Sequence, residues 1–253
     1  MRYVETLEGR ILRTNSTLFV WKSGNTVFIT DAINDTTNQR IEIDIGFVPD
    51  QIDVYDTRTS EELGPFNDVN AVQVDLTYGS DSLQGGGDDH VFLDGNFDTS
   101  GFDAVINAGI GDDDVQVGTE SDNLAGATID GGAGDDTLYG GNRDCILNGG
   151  IGNDQMTAGD GDDSIVGGDG NDTLHGGNGN DTLDGGMGDD MLVGGWDDDS
   201  LIGGMGTDEL HGEDGDDYLN PGVSDGIDTV YGDDGTDTLA GTHDSNDIVY
   251  SVP

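Results

Sequence analysis

Aspartate recurs along this chain at a spacing that has chemical meaning. Between residues 131 and 220 the sequence divides, without insertion, into ten nine-residue units: GGAGDDTLY, GGNRDCILN, GGIGNDQMT, AGDGDDSIV, GGDGNDTLH, GGNGNDTLD, GGMGDDMLV, GGWDDDSLI, GGMGTDELH and GEDGDDYLN. Position 6 is Asp in nine of the ten (Asp136, Asp154, Asp163, Asp172, Asp181, Asp190, Asp199, Asp208, Asp217), and Cys145 stands in the other. Rows of like charge need a counter-charge, and glycine-rich turns let backbone carbonyls approach closely enough to complete an oxygen shell. Mg²⁺ dehydrates reluctantly and suits a carbonyl-rich cage poorly, so the residue types select Ca²⁺.

Other chemistries find no support. With 54 acidic and 7 basic residues the net charge is -47, so the chain repels nucleic acid and anionic membrane surfaces. Cys145 is the only cysteine, which excludes an internal disulfide framework and a Cys-rich zinc site. His175 and His211 share position 9 but lie 36 residues apart, roughly 10 Å at strand spacing, too far for one zinc. His90 and His243 have no partner at ligand spacing. Residues 222–226, GVSDG, fit the hydrolase elbow GxSxG by chance, because they follow Pro221 inside a Gly/Asp array rather than joining a strand to a helix. Asp94, Asn96 and Asp98 begin like an EF-hand loop, but Val105 stands where its bidentate Glu belongs, so a solvated bulge is expected. No apolar run is long enough to span a membrane, and Glu5 and Glu8 interrupt what would be a signal-peptide core. No catalytic constellation remains, and a non-enzymatic protein is expected.

The elements that must position the aspartates follow from the other columns. Position 8 is apolar in every unit: Leu138, Leu147, Met156, Ile165, Leu174, Leu183, Leu192, Leu201, Leu210 and Leu219. About three residues around it suit a very short strand, its side chain inward and positions 7 and 9 outward. The glycines at positions 1, 2 and 4 permit positive φ, so the first six residues are expected to form a tight turn. Two units then make a flattened coil of 18 residues, and coils stack about 4.8 Å apart. One edge carries Asp136, Asp154, Asp172, Asp190 and Asp208; the other carries Cys145, Asp163, Asp181, Asp199 and Asp217. Carboxylates about 5 Å apart repel by roughly 1–3 kcal/mol per pair. Position 5 adds Asp135, Asp162, Asp189, Asp198 and Asp216. Met187 and Met205 should stack on one edge, with Trp196 on the opposite one.

The flanks are less regular. Asp-x-apolar steps occur at Asp81/Leu83, Asp89/Val91, Asp103/Val105, Asp113/Val115 and Asp122/Leu124, followed by a five-residue remnant, Gly126–Asp130, that carries Ile129. An 11-residue unit at 221–231, a clean unit at 232–240 and a frayed end with Asp247 and Val249 close the array. Residues 1–74 hold six of the seven Lys and Arg residues and alternate apolar with polar residues, which predicts five or so short strands capping the first coil. The division expected is therefore 1–74 as cap and 75–253 as repeat domain.

The units resemble the RTX calcium-binding nonapeptide GGxGxDxUx, closely over 131–220 and loosely over 79–250. The resemblance implies an all-β, right-handed parallel β-roll (a β-solenoid), with Ca²⁺ held between successive turns on both edges. One loop would offer its position-2 and position-4 carbonyls and its position-6 carboxylate, and the loop one coil later its position-1 and position-3 carbonyls and its own carboxylate. Carried onto this chain, the carboxylates are Asp89, Asp113, Asp122, Asp136, Asp154, Asp163, Asp172, Asp181, Asp190, Asp199, Asp208, Asp217 and Asp237. Position-1 carbonyls come from Gly131, Gly149, Gly167, Gly176, Gly185, Gly194, Gly203 and Gly212, and position-2 carbonyls from Gly132, Gly150, Gly159, Gly168, Gly177, Gly186, Gly195 and Gly204. Position 3 supplies Ile151, Asp169, Asn178, Met187, Trp196, Met205 and Asp214; position 4 supplies Gly134, Gly152, Gly161, Gly170, Gly179, Gly188 and Gly206.

On the order of ten ions would be held this way. Arg143 and Cys145 depart from the pattern, so ions beside that loop are expected to be absent or weak; Asp197 at a position-4 glycine strains its loop or adds a ligand, and Glu213 changes one loop residue. The resemblance further implies a secreted or cell-surface, calcium-folded monomer, exported by a type I system without an N-terminal signal peptide. The alternatives are the RTX module of an exported enzyme, or an adhesin or ice-binding segment, for which the irregular position-7 column is a poor match.

Overall fold

A computed structural model of the chain describes residues 105–117, 127–222, 226–241 and 247–250 in full, and elsewhere only the backbone of strands. All of the regular structure described is strand, 25 strands in sheets of 12 and 13. Consecutive array strands alternate between the two sheets, so the hydrogen-bonded neighbours of each strand lie one coil away. Thr173–Asn178 pairs in parallel with Gln155–Asp160 and Met191–Trp196. In the facing sheet Thr182–Met187 pairs in parallel with Ser164–Asp169 and Ser200–Met205. Leu174 sits beside Leu192 and Leu183 beside Leu201, an offset of 18 residues in both sheets. The fold is a parallel β-solenoid.

Its core is one apolar column per sheet. Leu138, Leu147, Ile165, Leu174, Leu183, Leu192, Leu201, Leu210 and Leu219 are 0 % exposed, and Met156 is 1 % exposed. Burying such side chains is worth about 1.5–3 kcal/mol each, but each strand contributes one large apolar residue to the interior. The other inward positions are the small position-1 residue and the position-6 aspartate. A thin core flanked by buried carboxylates is therefore the direct outcome of the nine-residue pattern.

The array strands are longer than the three residues expected. Most run six residues, from position 7 to position 3 of the next unit, and the turn is confined to positions 4 to 6. The glycines extend the ladder rather than ending it. Gly177, at φ 124°, still pairs in register with Gly159 and Gly195. A side chain at that φ would be strained, and its Cβ would run into the Gly159 carbonyl.

Two frame assignments need correction. Asp103/Val105 is not an inward step: Val105 is 42 % exposed, and Ile106, at 1 %, is the residue that enters the core beside Ile129. Gly126–Asp130 is not a remnant but the start of an eight-residue strand, Gly126–Ala133, with Ile129 registered against Leu147. The alternative step Asp122/Leu124 lies outside the described residues. At the other end the 11-residue unit keeps the ladder, with Val230 beside Leu210 and 0 % exposed.

Before the array, eight strands rather than five are described between Ile11 and Asp75. Ala71–Asp75 pairs in parallel with both Thr26–Thr30 and Asp103–Ile110, and Arg40–Ile45 in parallel with His90–Gly95, so both sheets continue into the N-terminal region. The outermost pairings there are antiparallel, as in Ile11–Arg13 with Phe19–Ser23. Side chains that would cap the first coil lie outside the described residues.

Candidate metal centre

The turn at positions 4 to 6 folds each position-6 aspartate inward. Asp136, Asp154, Asp163, Asp172, Asp181, Asp190, Asp199, Asp208 and Asp217 are only 1–3 % exposed, and Asp237 is 7 %. Each uses Oδ1 to accept the backbone N–H of the position-6 residue one coil earlier. On one edge Asp113, Asp136, Asp154 and Asp172 donate to Asp136, Asp154, Asp172 and Asp190 in turn, each at 2.8 Å. That row continues from Asp190 to Asp208 at 3.0 Å, then to Asp228 at 2.9 Å and Asp247 at 3.3 Å. On the other edge Cys145 donates to Asp163 at 2.6 Å, and the row runs on through Asp181, Asp199, Asp217 and Asp237 at 2.8–3.1 Å.

The second oxygen is the informative one. Oδ2 of Asp136, Asp154, Asp163, Asp172, Asp181, Asp190, Asp199, Asp208, Asp217 and Asp237 is buried with no hydrogen-bond partner. Leaving an ionised group in that state costs several kcal/mol. Apart from those of Asp163 and Asp237, each Oδ2 lies beside the position-1 glycine of its own unit, as Asp154 does at Gly149 and Asp181 at Gly176. The position-1 carbonyl of the next coil faces the same spot. A Cβ on Gly149 would stand 2.7 Å from the Gly167 oxygen, one on Gly176 2.7 Å from Gly194, and one on Gly185 2.6 Å from Gly203. The missing side chain keeps open a cradle into which carboxylate and carbonyl oxygens converge.

The loop carbonyls stack in the same way. The Gly132 oxygen faces Gly150 one coil on, and the Gly134 oxygen faces Gly152. Position-3 carbonyls of Ile151, Asp169, Asn178, Met187, Trp196 and Met205 accept position-4 N–H groups of the preceding coil at 2.7–3.1 Å, leaving a second lone pair on each. The side chains of Ile151, Met187, Trp196 and Met205 are exposed, so only their backbone oxygens are placed to act as ligands. Among the described residues no three His, Cys, Asp or Glu side chains cluster at one point. The donor set is therefore oxygen from mixed backbone and carboxylate, which fits a hard cation of high coordination number and not zinc or copper.

Electrostatics point the same way. Burial, the largest cause, pushes the carboxyls of Asp136 and Asp199 up to about 8, those of Asp181 and Asp208 to about 7, and those of Asp154, Asp163, Asp172, Asp190 and Asp217 to about 6. The donated N–H pulls each partly back, and neighbouring carboxylates push it further up. Without a counter-charge these groups hold their protons to a higher pH than a free aspartate does; a divalent cation reverses that.

A family model described as the RTX calcium-binding nonapeptide repeat matches residues 128–144, 146–174, 157–192, 166–201, 193–225 and 223–248. Residues 128–248 are an array of RTX calcium-binding repeats. No curated protein matches the chain.

Within the RTX array the expected ligand residues of residues 131–220 fall on stacked loops as the frame requires, and Asp113 and Asp237 extend the two rows. Asp89 and Asp122 lie outside the described residues, as do Asn96, Asp98, His243, the side chain of His90 and the serine of GVSDG. His175 and His211 occupy one column with Val193 between them, and His211 Nε2 meets Glu209 Oε1 at 3.0 Å. Asp197 and Glu213 take positive φ, 76° and 73°, so the Asp197 loop does carry backbone strain.

Three features went unread in the sequence. Asp228 extends one carboxylate row and carries it to Asp247 of the frayed end; its signal was the step Asp228-Thr229-Val230 inside an irregular unit. Position 5 lies outside the buried row, where the charges of Asp135, Asp162, Asp189 and Asp198 help to raise the carboxyls of Asp154, Asp163, Asp190 and Asp217. Its exposed side chains accept the N–H of the next coil's position-5 residue, as Asp162 does from Asn180 at 2.9 Å and Asn171 from Asp189 at 3.0 Å, so an amide serves as well as a carboxylate. The ladders at positions 5 and 6 run in opposite directions. His211, Tyr231 and Tyr250 form an outward aromatic stack, with centroids 4.4 and 4.8 Å apart, which only the register reveals.

Proposed function

We propose that this protein is a non-enzymatic β-roll whose folding is driven by calcium, with on the order of ten ions held between successive loops. The observation that supports this most directly is the pair of buried aspartate rows whose second oxygens have no partner. Each ion would take the position-6 carboxylates of two stacked loops and the loop carbonyls between them. One such set is Gly168, Gly170, Asp172, Gly185, Met187 and Asp190; another is Gly177, Gly179, Asp181, Gly194, Trp196 and Asp199. Because the folded state alone assembles these oxygens, binding free energy becomes folding free energy. A chain of this kind stays unfolded where calcium is scarce and folds where it is plentiful, which suits a protein exported through a type I system and working outside the cell as a monomer.

Calorimetric titration of the chelated chain with CaCl₂ and, separately, MgCl₂ tests the reading. The expected outcome is many calcium sites whose filling releases heat in step with folding, with Mg²⁺ unable to replace it. One or two calcium sites, or equal heats from Mg²⁺, would overturn it.

A further inference from the structure

Three departures from the repeat meet at one step of the solenoid, and a fourth stands one coil before it. Arg143 replaces a position-4 glycine, Cys145 replaces a position-6 aspartate, and Ala158 is the one position-1 residue in residues 131–220 that is not glycine. The register adds Ala127, which occupies the position-6 place one coil before Cys145, since Ile129 pairs with Leu147. Ala127, Cys145 and Ala158 are all buried, at 5 %, 2 % and 1 %.

The geometry shows what they do together. Beside the other position-1 glycines of the array stands an aspartate Oδ2; beside Gly140 stands Cys145 Sγ, 3.0 Å from where a Cβ would be. A neutral sulfur thus fills the place of the charged oxygen. Its S–H donates to the Arg143 carbonyl at 2.9 Å, and that position-4 carbonyl is one the calcium reading would make a ligand. The carbonyl is occupied by a proton donor from within its own loop. The backbone N–H of Cys145 still donates to Asp163 Oδ1 at 2.6 Å, so the coil-to-coil ladder survives intact. One unit on, the Ala158 methyl group occupies the inward space that position-1 glycine leaves open elsewhere.

We propose that the step between loops 140–145 and 158–163, with a neutral thiol in place of a carboxylate, is a joint that holds two coils together without an ion, so that the cation row on this edge begins only at the step after Asp163. The opposite edge has no such break, since Asp136, Asp154 and Asp172 follow one another through the same coils. The inference rests on the calcium reading above, and sharpens it: the two edges hold unequal numbers of ions, and the difference is localised to three residues.

The test is to count bound calcium by native mass spectrometry on the full chain and on the variant Arg143→Gly/Cys145→Asp/Ala158→Gly. The variant is expected to bind one more ion than the wild type. An unchanged count in a folded variant would overturn the joint. A wild-type chain that binds no calcium would instead overturn the calcium reading itself. Because the triple variant can fail to fold, Cys145→Ala provides a second arm. A residue that holds no ion can be removed without changing the count, so an unchanged number supports the proposal and the loss of an ion overturns it.

Discussion

Replacing Asp163, Asp181, Asp199 and Asp217 together with asparagine should let one edge of the roll hold without calcium. Asparagine keeps Oδ1, so the N–H bonds from Cys145, Asp163, Asp181 and Asp199 survive. Its Nδ2 takes the place of the partnerless Oδ2, and at residue 181 that place shares with the Gly194 carbonyl the cradle beside Gly176. Burial raises these four carboxyls from 3.8 to about 6, 7, 8 and 6. At a pH above all of them, each tenfold rise in proton affinity on folding costs the ionised folded state about 1.4 kcal/mol, hence roughly 3–6 kcal/mol per aspartate. Burying an amide returns about 1–3 kcal/mol of that. The net relief over four positions is comparable with the ~5–15 kcal/mol stability of a whole domain. Far-UV circular dichroism at pH 8.5 in EDTA should show more β structure in the variant than in the wild type, and a calcium titration should show fewer sites. A variant no more structured than the wild type in EDTA, or one that still binds the full number of ions, would refute the reasoning.

Other consequences are as specific. In EDTA, acid should stabilise the roll. The folded carboxyls titrate at about 6 to 8 and the unfolded ones near 3.8, so the folded state binds more protons; stability is fully present below 3.8 and is lost as pH rises through about 8. Urea midpoints measured at intervals between those limits should fall steadily with pH, and a rise would contradict the burial of the rows. Gly179→Ala puts a side chain at φ 118° against the Gly161 carbonyl and should cost on the order of 1–3 kcal/mol or more by urea melting in saturating calcium. Asp197→Gly relieves φ 76° and should gain about 1 kcal/mol in the same assay; a loss would mean that the Asp197 side chain is a ligand. Leu183→Ala, in a core one residue thick, should lose about 2–5 kcal/mol.

The nine-residue period made the solenoid, its 18-residue coil and its two aspartate rows legible, because a strict frame turns sequence position directly into place on the surface or in the core. The inward face of Leu174 and the exposure of Met187 and Trp196 follow from it. Strand length did not. Glycine at positions 1 and 2 reads as a turn by propensity, whereas a parallel neighbour on each side carries the ladder through Gly177. The frame was also ambiguous where units are irregular: Asp103/Val105 and Asp103/Ile106 differ by one residue, and only pairing with Ile129 and Leu147 decides between them. The inward turn of the aspartates, with Oδ1 tied to the coil before and Oδ2 left over, depends on backbone direction that residue types do not carry. The convergence of Cys145 and Ala158 was hidden for a related reason, since they belong to different units and meet only through the stack.

The central claim is that the roll holds its buried carboxylates only when a cation neutralises them. Far-UV circular dichroism of the intact chain at pH 7.5, first in EDTA and then through a calcium titration, tests it most directly. The account predicts little β structure in EDTA and a cooperative gain as calcium is added. A full β spectrum in EDTA, unchanged by calcium, would contradict it.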